Sequence, residues 1–299
     1  MELLYNNYMR SSGHGLTWTV TIDPPSRPVK TYYEETVIAA EMIWAQKQGT
    51  LYLCYSGGLD SEYVLSVLLA LKMKVKPVIM RTQYNSHETV YAFKFCKEKN
   101  LKPIVIDLDY NKFVESGQVL EIAKSMKSAA WQLSSNMWLA SQLDGTVITG
   151  NDPPHMKKKD DGLWYLDEEE IIHSQFRYFK KHGVYGTPFF LSYTPELMLS
   201  FLLDPTMKLL ANNGIPGKLG TNSTKVHVFN NNGGAFELIN RTKYHGYEYV
   251  EASPIYHHPD IQTVESFKDK WLGSSDHQYH TVIEKLISGK KSREKHTGP

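Results

Sequence analysis

The chain has 299 residues, with 33 Lys+Arg against 32 Asp+Glu, and this formal charge of +1 excludes a global electrostatic pull towards nucleic acid or an anionic membrane. With 41% hydrophobic and 22% charged residues, the chain can bury a sizeable core and falls outside the disordered class. Its two cysteines, Cys54 and Cys96, exclude a disulfide framework and a four-cysteine zinc site. No apolar run is long enough to span a bilayer; the longest, Val64 to Leu71, is broken by Ser66. The opening M-E-L-L-Y-N-N-Y-M-R has no basic region ahead of an apolar block, so a cytoplasmic enzyme is expected.

Residues 1–50 read as a polar, Pro-rich lead-in with D-P-P-S-R-P at 23–28, followed by one helix. That helix is predicted from Tyr33 to Gln46 by the spacing of Val37, Ala40, Ile43 and Trp44, and Gly49 stops it. The next hundred residues alternate. Strand-like Leu51 to Tyr55 precedes a helix from Ser61 to Leu71, Val75 to Met80 precedes a helix from Glu88 to Lys99, and Pro103 to Asp107 precedes helical sequence up to Gln142. Met126, Ala130, Leu133, Met137 and Ala140 mark one buried stripe of that stretch. A fourth strand, T-V-I-T, then ends in the turn G-N-D. Such alternation predicts an α/β fold with a doubly wound parallel sheet, its nucleotide-binding core spanning residues 51–154.

After Pro154 the pattern changes. H-M-K-K-K-D-D-G-L-W at 155–164 reads as an exposed loop, 168–181 as a helix, and P-E-L-M-L-S-F-L-L at 195–203 as a helix opened by proline. Glu196 suits the first turn of that helix or, alternatively, a substrate contact. Residues 155–288 are therefore expected to form a mainly helical, loop-rich substrate side, and the basic stretch 289–299 a flexible tail. His227, His245, His257 and His258 have no zinc-binding spacing.

The most informative stretch is S-G-G-L-D-S at 56–61, between the first core strand and its helix. Gly57 and Gly58 permit a tight path that aims unpaired helix N–H groups at the mouth of the sheet, where an anion binds. Ser56 and Ser61 add hydroxyls. Asp60 would repel a phosphate unless a cation lies between them, a role that suits Mg2+. The loop is neither G-x-x-x-x-G-K-[ST] nor G-x-G-x-x-G, and Ser56 is not in a G-x-S-x-G elbow.

These residues, in this setting, resemble the pyrophosphate loop of the PP-loop ATP pyrophosphatases, the adenine nucleotide alpha hydrolase-like superfamily with a Rossmann-like fold. The Leu59-Asp60-Ser61 form is most similar to the asparagine synthetase domain, argininosuccinate synthetase and the 7-cyano-7-deazaguanine synthases. The resemblance covers residues 50–152 and implies ATP and Mg2+ as cofactors, with Ser56, Gly57, Gly58, Leu59, Asp60 and Ser61 around the phosphates. It implies adenine against the strand ends, through Leu53 to Tyr55 and Ile79 to Arg81. Met80 offers an apolar face there, and Arg81 is either a phosphate or carboxylate clamp or a rim residue. Gly150, in T-G-N-D, matches the glycine-led segment after the fourth strand, which implies Asp152 as a second metal ligand beside Asp60. Here Asn151-Asp152-Pro153-Pro154 replaces a longer acidic version, leaving turn capping as the other reading of Asp152.

For the chemistry, Lys157, or equally Lys158, could close over the phosphates or belong to a solvated loop. Arg241 and Lys243 are distal basic candidates, with surface charge as the alternative. The resemblance implies an AMP- and pyrophosphate-forming synthetase or amide ligase, acting on a small-molecule carboxylate or modified-base acceptor. Glutamine-dependent relatives carry an amidase led by a cysteine; Glu2 and the short stretch before the loop imply nitrogen from ammonia, an amine or a separate protein. A homodimer is compatible with the class, and neither a membrane nor a nucleic-acid partner is expected. Two alternatives stay open: a non-catalytic ATP- or AMP-binding module, and a sulfonucleotide reductase-like or thiolating enzyme, which the placement of Cys54 and Cys96 as small buried residues disfavours.

Overall fold

The structure, a computed structural model, describes residues 9–14, 17–151, 153–158, 164–169, 171–207, 222–240, 246–267, 278–282 and 292–297. Its centre is a five-stranded parallel sheet. Numbering strands along the chain after an N-terminal hairpin, β1 (Met9–His14) and β2 (Thr17–Ile22), the core strands are β3 (Leu51–Cys54), β4 (Val75–Arg81), β5 (Ile104–Asp107), β6 (Thr146–Thr149) and β9 (Gly186–Thr187). Their spatial order is β5-β4-β3-β6-β9. The chain steps outwards from β3 to β5, then crosses back to lay β6 on the other side of β3, with Leu51 paired to both Val75 and Thr146. This reversal makes the carboxyl ends of β3 and β6 the switch point, where the connections leave on opposite faces and a crevice opens.

Helices cover both faces, as the sequence predicts. One face carries α1 (Tyr32–Gln46), α2 (Leu59–Ala70), α3 (Ser86–Glu98) and α8 (Pro195–Leu203), whose Ile43, Val64, Leu68, Phe95 and Met198 share a core with Leu53 and Ile79. Thr31 and Glu34 form a capping box that starts α1 one residue before the predicted Tyr33. The other face carries α4 (Tyr110–Glu115), α5 (Gln118–Met126), α6 (Gln132–Ser141) and α7 (Ile171–His182) around Phe113, Met126, Trp131, Met137 and Phe179. The predicted continuous helix before β6 is thus three helices. Left-handed backbone at Gly117 (φ +81°) and Lys127 (φ +53°) turns the chain between them, so the buried stripe is folded back on itself.

Three further expectations are revised. The parallel sheet does not end at residue 154, because Gly186–Thr187 adds β9 beside Val147–Ile148. The stretch after Pro154 contains strands β7 (His155–Lys158) and β8 (Trp164–Glu169), paired with β10 (Gln278–Val282), and α7 begins only at Ile171. Aromatic Trp164 and Tyr165 favour a strand, and β8 finds a partner on each side. The basic tail also holds a strand, β11 (Ser292–Thr297), on β2, whose edge groups need a partner. No helix among the described residues is long and apolar enough to cross a membrane.

Gly186 is the narrowest contact of the sheet, since a Cβ there would lie 1.8 Å from the Val147 carbonyl oxygen. Gly186→Ala is expected to lose about 3 kcal/mol or more through strain and broken β6–β9 pairing, measured by denaturant unfolding.

Candidate functional site

The loop after β3 is built by backbone constraints. Tyr55 N–H still donates to the Val78 carbonyl at 2.8 Å, which holds the chain to β4 up to the turn. Gly57 then takes φ +83°, and a Cβ on it would lie 2.8 Å from the Ala92 nitrogen, so glycine lets the loop press against α3. Gly58 is the N-cap of α2 and offers no side-chain cap to the helix. The first-turn N–H groups of α2 therefore keep their capacity for an external acceptor. A Cβ at Gly58 would meet only Ser56 Oγ, at 3.3 Å, so this side of the loop is open.

The two serines bracket that opening. Ser61 Oγ donates to the Gly58 carbonyl at 3.1 Å, Ser56 Oγ accepts from Gly58 N–H at 3.2 Å, and the two hydroxyls lie 3.2 Å apart. The turn after β6 closes on them from behind. A Cβ at Gly150 would lie 2.6 Å from Ser61 Cα, so Gly150 serves close approach of the two turns. Asn151 Nδ2 donates to the Pro188 carbonyl at 2.8 Å and to Gln175 Oε1 at 3.1 Å, tying the second turn to the segment after β9.

In front of the loop lies a cavity of about 330 Å³, a small-molecule size. Among the predicted residues, Tyr55, Ser56, Gly57, Gly58, Leu59, Asp60, Ser61, Met80 and Gly150 line it. The other walls are Val78 and Thr82 on the β4 side, Asn85, Glu88, Thr89 and Tyr91 near α3, Ser135, Asn136 and Leu139 from α6, then Tyr110, Tyr247 and Val250. Leu53 is fully buried in the core and does not reach the cavity wall. Arg81 is exposed, is not among the lining residues, and grips Asp107 through Nε at 2.5 Å and Nη2 at 2.9 Å. Glu196 accepts from Ser26 N–H and Oγ, at 2.6 and 2.8 Å, and so fastens the lead-in to α8. Lys157 lies on β7, while Asp152, Arg241 and Lys243 fall outside the described residues.

The structure adds a residue that the sequence reading did not single out. Lys225, on α9 (Asn222–Asn230), is 1% exposed, and its Nζ donates to Asp60 Oδ2 at 3.2 Å. Aromatic packing sets this reach: Phe229, one turn further along α9, stacks on Tyr63 of α2 with centroids 4.2 Å apart, and Tyr32 of α1 stacks on both rings. The available signal was Lys225 sharing a helix face with Phe229, four residues on, but nothing local connects it to a loop 165 residues earlier. Burial pushes the Cys54 thiol up to about 12, so this wall residue is a neutral thiol.

No protein-family model matches the chain, and no curated protein matches it. Among solved structures, a predicted subunit of tRNA methyltransferase from Methanocaldococcus jannaschii is 16% identical with TM-score 0.32, covering 62% of this chain and 88% of that one. NMN synthetase from Francisella tularensis is 16% identical with TM-score 0.34, covering 71% of this chain and 98% of that one. Both are remote likenesses.

Lys225→Met leaves the Asp60 carboxylate without its buried ammonium and is expected to cost about 3 kcal/mol. Asp60→Asn in the same chain should recover part of that loss. A double-mutant cycle by denaturant unfolding measures the coupling, and additive effects would show that the two charges do not interact.

Proposed function

We propose that the chain is an ATP-dependent, AMP- and pyrophosphate-forming synthetase of the PP-loop type, joining a small carboxylate or base-like acceptor to ammonia or an amine. The observation that carries this reading is the uncapped first turn of α2, open at Gly58 and bracketed by Ser56 and Ser61, at the mouth of a switch-point cavity. That donor set fits phosphate oxygens, which accept several converging N–H and O–H groups. For a metal, no cluster of three His, Cys, Asp or Glu side chains occurs among the described residues. Asp60 offers one carboxylate, which fits a magnesium ion that arrives on the nucleotide phosphates better than one caged by protein. Bound there, magnesium would neutralise phosphate charge.

The remaining work falls to the chain's own groups. The α2 amides and the serine hydroxyls hold the outer phosphates and stabilise the charge that builds on the departing pyrophosphate. Lys225 supplies a cation from the protein: its ammonium offsets Asp60 in the free site. The cavity walls keep the acceptor in line with the α-phosphorus and limit water. No covalent enzyme intermediate is needed. The thiolating alternative is disfavoured by Cys54, whose buried thiol is far from thiolate formation at neutral pH. A non-catalytic nucleotide-binding module would share the cradle but release no pyrophosphate.

Asp60→Asn is expected to abolish most magnesium-dependent pyrophosphate release while the protein stays folded, and unchanged release at limiting magnesium would remove Asp60 from the chemistry. Ser61→Ala should weaken ATP binding about fivefold, one hydrogen bond's worth, by calorimetric titration. At pH 8 Cys54 should resist iodoacetamide, since desolvation holds its thiol well above the ordinary cysteine range; rapid labelling read by mass spectrometry would contradict that shift.

A further inference from the structure

On the β6 side of the cavity two side-chain amides meet. Gln175, on α7, is 2% exposed, Asn151 follows Gly150 in the turn after β6, and both line the cavity. Burying a glutamine costs rotamer freedom and hydration, so its polar atoms call for partners. Among the described residues only its oxygen has one.

The amide hydrogens can be assigned. Asn151 Nδ2 carries two N–H groups, and both are spent, one on the Pro188 carbonyl at 2.8 Å and one on Gln175 Oε1 at 3.1 Å. The Pro188 carbonyl can only accept, so the Asn151 atom facing it is the nitrogen, and the Gln175 atom facing that nitrogen is the oxygen. The Thr149 hydroxyl donates to the same carbonyl and completes its bonding. Two groups are left over on these neighbouring side chains: Asn151 Oδ1, an acceptor, and the Gln175 Nε2 amide, a donor. Neither bonds to another described residue, and neither is among the sealed polar atoms of the described residues, of which the Tyr110 hydroxyl is one. Each therefore keeps accessible surface, and the cavity is the space that both side chains line.

A donor beside an acceptor sorts ligand groups by their protons. An ionised carboxylate only accepts, so one of its oxygens would face Asn151 Oδ1. An ammonium only donates, so its hydrogens would face Gln175 Nε2. A primary carboxamide has one acceptor and one donor side by side and satisfies both. A site built on such bonds rejects an analogue that leaves a buried partner unpaired.

We propose that Gln175 and Asn151 form a subsite for an uncharged carboxamide group of the acceptor. The subsite deepens the proposed synthetase function by naming a group its acceptor carries, and it rests on that function only for calling the ligand an acceptor.

The test is calorimetric titration of wild type, Gln175→Met and Thr149→Val with benzamide, benzoate and benzylamine, probes of similar size that present an amide, an anion and a cation. Each is titrated without nucleotide and at saturating magnesium α,β-methylene ATP, and that analogue is titrated by itself. Wild type should bind benzamide about tenfold more tightly than either charged probe. Gln175→Met should lose this preference with its affinity for the analogue unchanged. Thr149→Val removes a bond to the same Pro188 carbonyl but touches neither open group, so it should lower the thermal midpoint and keep the preference. If Gln175→Met does not fold, the wild-type preference decides by itself. Equal binding of the three probes, a preference for a charged one, or no binding of any would overturn the subsite. So would a preference that survives in Gln175→Met or is lost equally in Thr149→Val, the latter being the mark of a purely structural amide pair. An analogue affinity that falls along with the benzamide affinity in Gln175→Met would give the pair to the nucleotide and also overturn it. If wild type binds no analogue but still prefers benzamide, the synthetase reading falls and the subsite stands.

Discussion

A carboxylate in the first turn of a helix whose N–H groups lack a side-chain cap is the constraint the rest of the site answers. Asp60 sits in the first turn of α2, where the helix dipole favours a negative charge, and it is largely buried. The same charge opposes an anionic ligand on the adjoining N–H groups. Lys225 resolves the conflict in the free protein by bringing an ammonium to within 3.2 Å of Oδ2, at the expense of removing two charges from water. Such a pair is poorly suited to adding stability. It places a buried cation beside the uncapped first turn of α2.

Holding that pair in place recruits much of one face of the sheet. The stack of Tyr32, Tyr63 and Phe229 joins α1, α2 and α9, and Thr36 Oγ1 lies 3.1 Å from the Tyr63 hydroxyl beneath it. A second buried charge follows the same economy: Arg27 forks onto Glu35, which also accepts from Lys30 N–H at 2.8 Å, and this pins the lead-in over α1. On the opposite face the cavity wall is fixed by Tyr247 on Gln132, while Trp131 and Tyr256 both donate to Glu265 of helix α10 (Pro259–Glu265). One face thus presents charge to the crevice and the other neutral hydroxyls.

Glycines set the separation between these parts. Gly57 lets the loop after β3 rest on α3, and Gly150 lets the turn after β6 rest on Ser61, so the two switch-point turns meet with no side chain between them. Of Gly57, Gly58 and Gly150, only Gly58 has no backbone against its Cβ position, where the sole neighbour is the Ser56 hydroxyl. Residues that look equivalent in S-G-G-L-D-S and T-G-N-D therefore do different jobs, two for packing and one for access.

The parallel core was legible because strand and helix periods are local: Leu51 to Cys54, Val75 to Arg81 and Thr146 to Thr149 declare themselves within a few residues, and so does the glycine turn with its serines and Asp60. Pairings between distant segments were not. Whether Gly186–Thr187 would join the sheet, or Ser292–Thr297 find an edge, depends on unpaired backbone groups elsewhere in the chain. Arg81 read as either a clamp or a rim residue because it ends a strand at the crevice, and Asp107, one strand over, claims its guanidinium. Sequence alone determined the fold class and the place of the glycine turn between the first core strand and its helix, since both follow from residue type and spacing along a few turns of chain. Only tertiary structure decided which cation meets Asp60 and which hydroxyl is left without a partner, because those outcomes depend on side chains brought together across the fold.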